Sequence, residues 1–151
     1  GSMRSATVGD AMRVIARMLW VLGLLAVLAP AAAQSRLQRG KLQQVQDAYA
    51  ASIRWGDFEN AWQAVDPAYR AEHPMTELEF ERYKQIQISG YRDLSTRGGP
   101  DGTVERAAEL RVINKHTMAE RTERYVERWR WDPEAKRWWL VVGMPDLWKG
   151  Q

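Results

Sequence analysis

Arg106 is the one charge on an otherwise apolar alternation, Val104, Arg106, Ala108, Leu110 and Val112. A guanidinium in that position can receive a carboxylate or phosphate-like group through two parallel hydrogen bonds. The competing account places it near a sheet edge, where charges are common, or pairs it with Glu120 across a hairpin. Tyr125 is a second candidate polar anchor. The only histidines, His73 and His116, fall in predicted loops without a second His or Cys at ligand spacing. A metal site needs three or four converging ligands, and a general base needs a positioned partner. The sequence therefore predicts no metal, no cofactor and no catalytic residue. Cysteine is absent, which excludes a thiol nucleophile, a disulfide and a lipid-modified cysteine.

Aromatic residues are the other candidates. Seven of the eight tryptophans follow residue 33: Trp55, Trp62, Trp129, Trp131, Trp138, Trp139 and Trp148. Trp129, Trp131, Trp138 and Trp139 cluster on one predicted hairpin, and Trp148, beyond Pro145, can dock on the same surface. Such a group lines a ligand cleft, forms a partner interface or fills the core of a small domain. The residues expected to touch a ligand or partner are thus Arg106, Tyr125, Trp129, Trp131, Trp139 and Trp148. Between them runs a charged stretch in which Glu120, Glu123 and Glu127 alternate with Arg121, Arg124, Arg128 and Arg130. Every acid there has a basic neighbour, so the pattern predicts ion-pair ladders on a solvated face rather than paired catalytic carboxylates.

The elements that must position these residues are legible in the periodicity. Leu42, Val45, Tyr49 and Ile53 form one stripe of a helix from Lys41 to Trp55, and Gly56 ends it. Asp57 caps a second helix carrying Phe58, Ala61, Trp62 and Val65, which Asp66-Pro67 terminates. Thr76 and Glu79 form a capping box for a third helix bearing Leu78, Phe80 and Tyr83. The period then changes to two at Ile86 and Ile88, starting a strand towards Leu94. Strands follow over Thr103–Ile113 and Thr117–Trp131. A last strand, Arg137–Val142, is apolar on both faces and so is expected to be central or covered on both sides. Three helices followed by a four-stranded antiparallel meander predict an α+β domain with helices packed on one face of a curved sheet.

The N-terminal segment carries its own information. Arg13 and Arg17 flank an apolar run from Met18 to Leu28, Pro30 breaks it, and Ala31-Ala32-Ala33 offers small residues to a signal peptidase. Cleavage between Ala33 and Gln34 would place the rest in the periplasm or outside the cell. An uncleaved segment would anchor it to the inner membrane. Gly1-Ser2 reads as a scar of tag removal, with Met3 or Met12 as the natural start. Removing the first 33 of the 151 residues leaves 118, a polar tether over 34–40 and a single domain over 41–151. Taking Arg4, Arg13, Arg17 and Asp10 from the totals leaves 19 basic and 18 acidic residues, which is no nucleic-acid footprint.

The stretch from Tyr49 to Trp62, with its Gly56-Asp57 break, and the ending from Tyr125 through Trp138-Trp139-Leu140-Val141-Val142 resemble the nuclear transport factor two-like (cystatin-like α+β) superfamily. The resemblance covers about Leu42 to Val142 and implies helices and a concave sheet enclosing a conical pocket. Some members are ketosteroid isomerases or polyketide cyclases, and many others are binding or assembly modules, including the periplasmic domain of a type IV secretion inner-membrane component. The enzymes use acids, His and Tyr projecting into the cone, whereas the inward face of Thr103–Ile113 offers no acid. The resemblance thus implies an exported, non-enzymatic module acting through its sheet or cone on a protein partner or a second copy. Its alternative is a binder of a small apolar or anionic ligand, or an isomerase- or cyclase-type enzyme, with Arg106 and Tyr125 in the pocket. A deep enclosed cavity with Arg106 pointing inward would favour the small molecule, and a filled cone with exposed tryptophans on the sheet the protein partner. Protein recovered from a bacterial periplasm is expected to begin at Gln34 by intact mass; a full-length mass in washed membranes would establish an anchor.

Overall fold

The structure, a computed structural model, describes residue 33 and residues 35–148. The expected signal segment up to residue 32, and Gln34, lie outside the described residues. The chain divides into two units, Gly1–Gly40 and Lys41–Gln151. In the first, Ala33 and residues 35–40, the latter expected to be a tether, are helical. Among the described residues no helix is long and apolar enough to cross a membrane.

The second unit opens with α1 over residues 41–54, which buries Leu42, Tyr49 and Ile53. Gly56, at φ 78°, ends it as expected: its amide reaches the Ile53 carbonyl (3.2 Å) and the Asp57 amide the Ser52 carbonyl (2.8 Å). These are the two bonds that a left-handed glycine makes possible at a helix C-terminus. Asp57 then caps α2 (Phe58–Trp62), its carboxylate accepting from the Asn60 amide.

Asp66-Pro67 does more than terminate α2. Asp66 accepts from the Ala68 amide (2.9 Å) and starts a further helix, α3 (Pro67–Glu72), with Pro67 in its first turn. Proline suits that position because its missing N–H would be unpaired there anyway. The extra helix buries none of its residues, so it has no apolar stripe for sequence reading to detect. The Thr76–Glu79 capping box forms in full at the head of α4 (Glu77–Tyr83). Of the expected apolar residues, Tyr83 is buried and Phe80 half-buried, while Leu78 faces solvent.

Four strands follow, β1 (Ile86–Gly98), β2 (Val104–Asn114), β3 (Glu120–Asp132) and β4 (Arg137–Leu140). They form an open antiparallel sheet in the order β1-β2-β3-β4, so the α+β class and the meander stand. A short 3-10 turn, Pro100–Gly102, links β1 to β2, and β1 carries register shifts at Ile88/Gly90 and Asp93/Ser95. Such bulges increase local twist and re-aim side chains. The Asn114 side chain closes the next reversal by accepting from the amides of His116 and Thr117.

β4 departs from expectation: it is the last strand in the order, with β3 as its one strand neighbour. Its outer edge is protected by the α2–α3 connection instead. The Leu140 amide donates to the Ala64 carbonyl (2.9 Å), and its carbonyl accepts from the Asp66 amide (2.8 Å). Covering an edge in this way removes a template for unwanted strand pairing. Asp66 also accepts two bonds from Arg130, at 3.0 and 2.7 Å, tying the start of α3 to β3. Asp66→Ala is expected to cost about 1–3 kcal/mol in urea unfolding, and Asp66→Asn, which keeps the cap, clearly less. An alanine variant as stable as the wild type would remove Asp66 as the clamp between helix and sheet.

Candidate functional site

Antiparallel register places Arg106 of β2 directly opposite Glu127 of β3. Both are buried, at 3% and 0% exposure. Arg106 Nε donates to Glu127 Oε2 and Nη2 to Oε1, each at 3.0 Å. Trp129 Nε1 donates to Oε1 (2.9 Å) and the Tyr91 hydroxyl of β1 to Oε2 (2.5 Å). Nη2 of Arg106 also reaches the Gln46 carbonyl of α1 at 3.1 Å, and Nη1 lies 3.5 Å from Asp93 at the surface. Four elements, α1, β1, β2 and β3, thus converge on two side chains. The Gln46 amide nitrogen is buried beside them without a hydrogen-bond partner.

Burial pushes the Glu127 carboxyl above the usual carboxylate range, and Arg106, Tyr91 and Trp129 pull it back. Desolvation works against the Arg106 charge, but Glu127 outweighs it and holds the guanidinium above its ordinary value. Four donors around one carboxyl are the surroundings of an ionised, acceptor-only group. Burial likewise raises the Tyr91 phenol, with the Glu127 charge next in weight. Tyr49 and Tyr125 bond each other through their hydroxyls (2.9 Å), and Tyr125 donates to the Gly143 carbonyl (2.8 Å). Burial raises both phenols well above the usual value.

Chemically this constellation is closed. Each Glu127 oxygen already accepts two hydrogen bonds, so the carboxylate can take a proton from a substrate only by giving one up. Arg106 has the carboxylate that sequence reasoning looked for in a ligand, and it comes from the chain itself. The sheet-edge account fails because β2 is an inner strand, and the Glu120 pairing fails because Glu120 bonds Arg111 at 3.1 Å. Glu127 was itself read as part of a solvated ladder. Period-two parity from Tyr125 to Trp131 sets it among apolar residues, and that signal was available in the sequence.

The tryptophans do not share one surface. Trp129 is core, in edge-on contact with Tyr49 at 5.6 Å. Trp131 is half-buried against Trp138 (5.6 Å), with the Lys41 ammonium 5.9 Å above its ring. Trp139 lies on the opposite face of the hairpin, donating to Asp132 (3.1 Å) under the Arg137 guanidinium. Trp148 packs on Tyr83 of α4 at 5.3 Å. His73 stacks on Tyr69, and no group of three or more metal-ligating side chains occurs among the described residues.

The outer face of the sheet has its own pattern. Register aligns three rows across β1, β2 and β3: Arg92–Glu109–Arg124, Ser95–Ala107–Val126 and Arg97–Glu105–Arg128. Glu109 pairs with Arg92 (3.0 Å), and Glu105 with Arg97 (2.7 Å) and Arg128 (2.9 Å). Hydrogen bonds from Arg97 and Arg128 hold the Glu105 carboxyl below its usual range. Arg124 makes no ion pair among the described residues, and it lines a shallow depression of about 140 Å³ with Ser95, Ala107 and Val126. Four arginines thus stand against two glutamates around a small apolar floor.

Comparison with protein-family models, with curated proteins and with solved structures finds no match.

Glu127→Gln puts an N–H donor where donors already converge. It is expected to cost about 3–5 kcal/mol in denaturant unfolding, because Arg106 is left buried without its charge partner. The double variant Arg106→Met, Glu127→Leu should recover most of that loss. A glutamine variant with unchanged stability would mean that the pair does not hold the sheet to α1.

Proposed function

We propose that this protein is an exported, non-enzymatic binding module of the nuclear transport factor two-like (cystatin-like α+β) type, whose cone is filled by its own side chains. It acts on a protein partner through the outer face of the sheet. The observation that carries this reading is the outer face of the sheet, in which Arg124 has no ion pair among the described residues and lies beside exposed Val126. Arginine is among the residues in which interfaces concentrate their binding energy. The interior supports the same reading: the guanidinium of Arg106 and the hydroxyl of Tyr125, the anchors a pocket ligand would use, are both engaged internally.

Charge selects the class of partner. A two-fold axis through Ala107, along β2 or along the middle row, would lay arginine over arginine and glutamate over glutamate in two facing copies. Like charges in such contact are costly. A protein presenting carboxylates to Arg97, Arg124 and Arg128 fits without that penalty, and a component of an envelope assembly meets the description.

Photo-crosslinking in the producing cells tests this. A benzophenone amino acid at Val126 should give an adduct of discrete mass. The same group at Leu78, exposed on α4, should not give it, and Arg124→Glu should abolish it. An adduct at twice the monomer mass would identify a second copy as the partner. A folded protein that gives no adduct at Val126, or one indifferent to Arg124→Glu, would overturn the assignment of this face.

A further inference from the structure

A groove lies between the α3–α4 pair and the C-terminal segment 143–148, on a part of the molecule separate from the outer sheet face. It comprises two adjoining hollows of about 280 and 200 Å³ that share Met75, Glu79, Tyr83 and Met144. Trp62, Tyr69 and His73 extend one end, and Arg82, Asp146 and Trp148 the other.

We propose that this groove binds an organic cation, an ammonium group on a short apolar carrier. Three observations converge on that chemistry. The walls are aromatic or thioether: Trp62 meets Tyr69 edge-on at 6.4 Å, Trp148 meets Tyr83 at 5.3 Å, and two methionines complete them. Aromatic faces attract cations, and several together form the cages that hold quaternary ammonium groups. Thioethers supply polarizable, adaptable surface beside them.

The field inside the groove is also negative. Glu79 and Asp146 lie on its rim, and their effect is visible on its floor. The buried Tyr83 phenol is pushed up to about 12, first by burial and then by the charges of Asp146 and Glu79. Its hydroxyl donates to the Pro145 carbonyl, which fixes the floor to the C-terminal segment.

The chain already uses this chemistry at one end of the groove. The Arg82 guanidinium sits 4.6 Å from the centroid of the Trp148 ring, held by the attraction proposed for the ligand. Arg82 is exposed, and its one guanidinium stands against the two carboxylates of Glu79 and Asp146 in the lining. Glu79 accepts from the Thr76 amide and Asp146 from the Trp148 amide, so both carboxylates are positioned by backbone bonds.

The groove carries its own reporters. In the full chain with methyl-labelled methionine, choline should shift the Met75 and Met144 resonances saturably. Met118, exposed at the β2–β3 reversal, should stay still. The neutral isostere 3,3-dimethylbutan-1-ol is expected to bind about tenfold more weakly or worse, because it keeps the shape and lacks the charge. Glu79→Gln and Asp146→Asn should each weaken choline binding about three- to tenfold; glutamine still completes a capping box and asparagine still accepts from Trp148. Nα-acetyl-lysine amide forms a second arm: stronger binding than choline identifies a basic side chain as the natural ligand, and weaker binding a free ammonium compound. Equal affinity for choline and its neutral isostere, indifference to both carboxylate variants, equal shifts at all three methionines, or no shift with either cation would overturn the proposal. None of these outcomes touches the outer sheet face, so the two readings fail separately.

Discussion

Two buried side chains, Arg106 and Glu127, hold this fold in register. They face each other on the inner strands β2 and β3, and each also reaches outside its own pair. Glu127 gathers Tyr91 from β1 and Trp129 from its own strand, while Arg106 bonds the Gln46 carbonyl of α1. A two-residue slip of β2 against β3 keeps the same faces inward but would leave both charges in the interior without partners, and an unpaired buried charge is among the most costly defects a small domain can carry. Apolar packing drives collapse and excludes a one-residue slip, but it does not by itself distinguish registers that keep the same face inward. The ion pair does.

The same interaction decides where binding can occur. A guanidinium with an internal carboxylate, beside a carboxylate with four internal donors, leaves neither Arg106 nor Glu127 free to anchor a ligand. Unsatisfied recognition chemistry is found outside it. On the outer sheet face arginines outnumber glutamates, with Arg124 unpaired among the described residues. In the groove beside α4 carboxylates outnumber free cations among aromatic walls. The two surfaces have opposite charge balance. Asp66 joins their supports, since it caps α3 on one side and bonds Arg130 of β3 on the other.

Local signals were the legible part. Gly56 at a left-handed helix end, the Asp57 cap, the Thr76–Glu79 box and the alternation of β2 each act within a few residues, and each occurs as its residues dictate. Errors arose where the deciding partner is distant in sequence. Helix α3 has no apolar stripe because it buries nothing, and only the cap on Asp66 marks it. β4 reads as a covered strand from its apolar residues, yet its cover comes from Ala64–Asp66, more than seventy residues earlier. Leu78 fits a helical stripe and points to solvent.

The sequence by itself determined the α+β class, the order of the strands and of every helix but α3, and many of their ends, because capping and side-chain alternation are short-range physics. It also supplied the residue types of the candidate sites. Only the tertiary structure decided what those residues do. Register brought Glu127 to Arg106 and so converted an expected ligand anchor into an internal pair. Packing separated the tryptophans, placing Trp129 in the core and Trp148 in the groove. A charge in a strand has the same local signature whether it meets solvent, a ligand or another strand. Its role follows from which neighbour the fold places within hydrogen-bonding distance, and that depends on the whole chain.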